Sequence, residues 1–123
     1  VLSDLGKPSL RHMTEQIEVC GWIIPESNFL VIGIRTFEYK WELSALSVSS
    51  PEGSTVSIEK VSPNHMFEKG EVFLDSIEPE AKKFLRLEIG GSPSLIELEV
   101  SGLIAGEPFA AVPREAIVFG KND

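Results

Sequence analysis

The stretch Phe84-Leu85-Arg86-Leu87-Glu88-Ile89, then Gly90-Gly91-Ser92-Pro93, then Ser94-Leu95-Ile96-Glu97-Leu98-Glu99-Val100 carries the plainest structural signal in the chain. Apolar and charged residues alternate on both sides of the glycine break. Leu85, Leu87 and Ile89 share one face, opposed to Arg86 and Glu88. Ile96, Leu98 and Val100 do the same against Glu97 and Glu99. Successive side chains of a strand point to opposite faces, so both segments read as half-buried strands. The break between them predicts a hairpin with one wet face.

The pattern continues outward from this pair. Upstream, residues 71–75 read as a short strand. Ser76, followed by Pro79, Glu80, Ala81, Lys82 and Lys83, is the one helix signal. Ser76 can cap the first amides, and acids suit a first turn. Residues 62–70, with Pro63, Asn64 and Gly70, read as a loop. Residues 41–49 and 55–61 read as strands. Between them, Ser50-Pro51-Glu52-Gly53-Ser54 places Pro and Gly where a β-turn uses them, which predicts a second hairpin. Residues 29–37 start with an apolar run from Phe29 to Ile34, as in a central strand covered on both faces. Residues 17–24 precede it across a short Pro/Asn turn, a third expected hairpin. Downstream, Gly102 and Gly106 suit a bend, and residues 109–112 and 116–119 read as short strands. Residues 1–12, with Gly6 and Pro8, read as a flexible arm.

About eight short strands and at most one short helix point to an all-β fold. An antiparallel β-sandwich buries such alternating faces, with a small β-barrel as the alternative. The stretch from Ala81 to Ile89, followed by Ser94 to Gly102, resembles the closing hairpin of discoidin-type (galactose-binding-like) β-sandwich modules. The resemblance rests on strand periodicity over about a sixth of the chain and implies a sandwich. In that family the hairpin ends the domain, whereas further strands are expected here, so the chain is not assigned to it.

The 123 residues suit one domain, 1–123. Hydrophobic residues make up 42% of them, enough for a core without disulfides or metal. The net charge of −8 opposes nucleic-acid phosphates and anionic membrane surfaces. Lys82, Lys83 and Arg86 are the densest basic group, but Glu78, Glu80 and Glu88 surround them. No nucleic-acid partner is therefore expected. No apolar stretch reaches the length of a membrane helix, so no membrane insertion is expected. With no visible signal peptide and a single cysteine, the cytoplasm is the favoured compartment.

Chemistry-bearing patterns are sparse. The glycine pairs lack the spacing and lysine of a phosphate-gripping loop. One cysteine and two histidines form no zinc motif, and no metal or other cofactor is expected. Asp75, Glu78 and Glu80 are the densest oxygen grouping for calcium, but without a calcium-loop signature. Glu97 and Glu99 share a face as paired carboxylates would, and a solvated, cross-strand-paired face explains them more simply. Cys20 lies in an apolar run and reads as a buried small hydrophobe. No serine sits in a nucleophile elbow, and no catalytic residue is assigned.

Trp22, Phe37, Tyr39 and Trp41 gather in sequence, with Arg35 among them. Aromatic planes beside hydrogen-bonding groups suit a protein or sugar partner. Arg35, Tyr39 and Trp41 are the candidate binding residues, weighed against core and sheet-edge packing. The expected function is a non-catalytic protein-interaction or assembly domain. The alternatives are a carbohydrate-binding module and a small hydrolase with an unrecognised site. A homo-oligomer, built by pairing of an exposed sheet edge, is a further expectation.

Overall fold

A computed structural model describes residues 6–53, 55–91 and 93–119. The alternating segments form strands, and no helix occurs among the described residues. In chain order they are β1 (Leu10–Met13), β2 (Ile17–Ile23), β3 (Phe29–Thr36), β4 (Trp41–Ser49) and β5 (Ser57–Ser62). They continue as β6 (Phe67–Glu68), β7 (Glu71–Ile77), β8 (Lys82–Gly90), β9 (Leu95–Ile104), β10 (Glu107–Ala111) and β11 (Ile117–Val118). Two antiparallel sheets result. The five-stranded sheet runs β1-β2-β3-β8-β5. The six-stranded sheet runs β10-β9-β4-β7-β6, with β11 also against β9. The sheets form a sandwich and not a closed barrel.

In the longer strands, alternate side chains face the space between the sheets. Ile17, Val19, Leu30, Ile32, Ile34, Leu85 and Leu87 come from one sheet, and Leu46, Val72, Leu74, Ile96, Leu98 and Val100 from the other. All are buried, and apolar burial of this kind is the main driving force for the fold. The 23–29 turn makes the expected β2–β3 hairpin, in register from Ile17 opposite Thr36 to Ile23 opposite Leu30.

The other two expected hairpins do not form. β8 lies between β3 and β5, while β9 lies between β4 and β10. The 90–93 link therefore carries the chain from one sheet to the other. Its Gly91 has φ of 93°, and a Cβ there would run into the Thr55 carbonyl, so the corner requires glycine. The Leu85 and Leu98 rows share one core but belong to opposite sheets. The Pro51–Gly53 turn is real, with Gly53 N–H donating to Ser50 O at 3.2 Å. Yet β4 has both edges occupied, by β7 and β9, so β5 turns the corner and pairs with β8.

The expected helix over 76–83 is also replaced by a corner. β7 runs on to Ile77, and the chain then folds back over the end of β3. Thr36, fully buried, donates its hydroxyl to Glu78 O at 2.6 Å and accepts from Ala81 N–H at 3.1 Å. Those bonds satisfy the backbone that a helix would otherwise pair internally. The expected 62–70 loop contains β6, and Ile58 N–H donates to Lys69 O at 2.8 Å, joining the sheets along that side. Of the expected arm, residues 1–5 lie outside the described residues, and Leu10–Met13 pair with β2.

Candidate functional site

The three sequence candidates have different surroundings. Trp41 is 1% exposed, and its indole packs edge-on to Phe109 with ring centres 6.5 Å apart. It presents no open ring face. Arg35 lies over the Phe37 ring at 4.7 Å, with Nε 3.2 Å from Glu18 Oε1. Tyr39 is half-exposed and lines a hollow with Gln16, Ile104, Glu107 and Phe109.

Tyr39 and Phe109 lead to a second depression, which the sequence reading missed. On β9, Ile96, Leu98, Val100 and Ile104 point inward. The outward series runs through Leu95, Glu97, Glu99 and Ser101, and ends at the apolar Leu103. Pro108 of β10 lies opposite Leu103, and Ala110 opposite Ser101. β4 adds Leu43. The β4 register breaks between Trp41 and Ser44, and Leu43 takes φ of 51°. A bulge re-aims side chains. Here it leaves Leu43 74% exposed while Trp41 and Ser44 stay buried. Leu43, Leu103, Pro108, Phe109 and Ala110 line a groove of about 490 Å³ together with Glu99 and Ser101. Phe109 also lines the neighbouring hollow with Tyr39. Trp41 thus backs the groove through Phe109. The legible signals were the apolar Leu103 at an outward position and the broken alternation around Leu43.

Charge is divided between the sheets. Strands of the six-stranded sheet carry Glu42, Glu68, Glu71, Asp75, Glu97, Glu99 and Glu107, and no lysine or arginine. Strands of the five-stranded sheet carry Arg11, Arg35, Lys60, Lys82, Lys83 and Arg86 against Glu18, Glu59 and Glu88. Glu97 and Glu99 were expected to find charge partners across a hairpin. They lie instead opposite Ser49 and Ser47, because β8 and its basic residues belong to the other sheet.

On the outer face of the five-stranded sheet, Glu18 is fully buried between two arginines. Arg11 Nε donates to Glu18 Oε2 at 2.6 Å. Burial pushes the Glu18 carboxyl up, but the hydrogen bond and charge of Arg11, with the charge of Arg35, outweigh it and hold the group below the usual carboxylate range. Cys20 sits beside this carboxylate. Burial, then the Glu18 charge, pushes its thiol up to about 11, which keeps it protonated near neutrality. The cluster reads as a charged clasp holding β1 and β3 to β2. Among the described residues, no group of three or more His, Cys, Asp or Glu could hold a metal ion, the Asp75–Glu80 stretch included.

No protein-family model and no curated protein sequence matches the chain. Among solved structures, the fold is similar to the GAE domain of GGA2p from Saccharomyces cerevisiae, with a TM-score of 0.51 and 13% identity. The match covers 94% of this chain and 98% of that one. It concerns the whole β-sandwich, and at that identity it is a likeness of fold alone.

Proposed function

We propose that this domain is a non-catalytic protein-interaction module that binds through the groove between Leu43 and Ala110. The observation that carries the reading is Leu43, an apolar side chain turned into solvent by a bulge in an otherwise well-paired central strand. An exposed apolar patch on a stable framework is the usual mark of a contact surface. Leucine, proline and alanine beside one aromatic edge make up most of the lining, with Glu99 and Ser101 as its polar side chains, which suits apolar side chains of a protein better than sugar rings. The sandwich likeness to the GAE domain supports a rigid platform and goes no further.

Selection of displayed random peptides on the wild-type domain tests this reading. Binders should be enriched, and Leu43→Ser should weaken them by about tenfold or more, the loss expected for an apolar anchor. The melting temperature should hold, because Leu43 is outside the core. Binders indifferent to Leu43→Ser, or a saturable glycan-array signal with no peptide enriched, would overturn it.

A further inference from the structure

We infer that the occupant of the groove is a segment of another protein, with an apolar centre and lysine or arginine beside it. The inference rests on the groove being a protein-binding surface. Its own basis is the charge of the sheet that carries the groove. Glu99 lines the groove and Glu107 the adjoining hollow. The strands of this sheet contain no lysine or arginine to neutralise them. Lys40, in the 37–40 link, lies 3.8 Å from Glu42 and 3.7 Å from Glu78 and is already matched. A partner with basic flanks relieves this unpaired field, while an acidic one adds to it.

Two further observations narrow the occupant. β10, the outer strand at the groove, is five residues long and includes Pro108, which has no N–H. Backbone addition along that edge is therefore weak, and recognition falls to side chains on the face. A second copy of this chain carries a net charge of −8, and self-repulsion opposes its approach. Its basic sheet is also partly committed. Arg11 and Arg35 hold Glu18, and Arg86 lies over Phe29 at 4.8 Å.

The test uses the whole chain and synthetic peptides made from the selected apolar sequence, flanked by two lysines, two glutamates or two serines. Fluorescence anisotropy should show the lysine form binding at least about tenfold tighter than the glutamate form at low salt, with the gap closing at high salt. Glu99→Lys should reverse the order, which a purely structural role for Glu99 would not do. Equal binding of the three peptides, all weakened by Leu43→Ser, would overturn the inference and leave the groove as a binding site. Binding unaffected by Leu43→Ser would overturn both. A concentration-dependent dimer in light scattering that Glu99→Lys abolishes would replace the proposed partner with a second copy.

Discussion

Glu18 is the residue whose surroundings most constrain the fold's chemistry. A carboxylate with no solvent exposure is costly, and it persists here because Arg11 and Arg35 reach it from both neighbouring strands. Its carboxyl is held below the usual range. The folded state therefore favours the ionised form. That contribution is fully present above the carboxyl's unfolded pKa and fades as pH falls through the lower folded value. Glu18→Gln should cost about 1–3 kcal/mol at neutral pH, since it leaves two arginines with a weaker acceptor. Urea titrations from about pH 7 to about pH 3 should show a shallower loss of stability for the variant than for the wild type. Parallel acid limbs would mean that Glu18 is not the group being protonated. Nothing in the sequence singled out this residue, because its partners come from β1 and β3 and meet only through the register.

Strand β9 shows how an element's sequence fits its two faces. Gly102 lies in its inward series, opposite Phe109. A Cβ there would sit 2.9 Å from both Trp41 Cε3 and Ser44 Oγ. Gly102→Ala should destabilise by about 1–3 kcal/mol through overpacking and change the Trp41 near-ultraviolet dichroism. A neutral effect would show that the bulged end of β4 can move away, and that the Leu43 wall of the groove is soft. The sequence made such elements legible while hiding their neighbours. Period-two alternation tells which residues of β8 and β9 are buried, and the structure buries them. It does not distinguish a partner beside the strand from one across the core. Pro51–Gly53 and Gly90–Pro93 are turn formers at a hairpin and at a corner alike. The β2–β3 hairpin was readable because its short turn left adjacent pairing as the simplest route. Of the candidate binding residues, Tyr39 lines the hollow beside the proposed groove and Trp41 is buried behind it against Phe109. Regular alternation along β4 would put Leu43 on the same face as Trp41, and the bulge breaks that parity.

At the scale of the molecule, the chain changes sheet at five links: β3 to β4, β4 to β5, β5 to β6, β7 to β8 and β8 to β9. Neither sheet is a continuous piece of sequence. The β1–β3 meander comes from one stretch, but β8 and β5 complete that sheet only after β4 has entered the other. Opening one sheet would also expose the inner face of its partner, with Leu30, Leu46, Leu87 and Leu98 losing contacts together. The expectation is therefore a single cooperative transition, as in most domains of this length. The two tryptophans allow a direct check. Trp22 belongs to the five-stranded sheet and packs against Phe84 with ring centres 6.1 Å apart, while Trp41 belongs to the six-stranded sheet. Fluorescence of Trp22→Phe and Trp41→Phe variants then reports each sheet separately. Each variant has its own stability, so fluorescence is compared with far-ultraviolet dichroism of the same protein. Within each variant the two urea curves should coincide, with a slope of about 1–3 kcal/mol/M. If fluorescence and dichroism separate in either variant, one sheet survives the other, and the interleaved connections do not couple them as the topology implies.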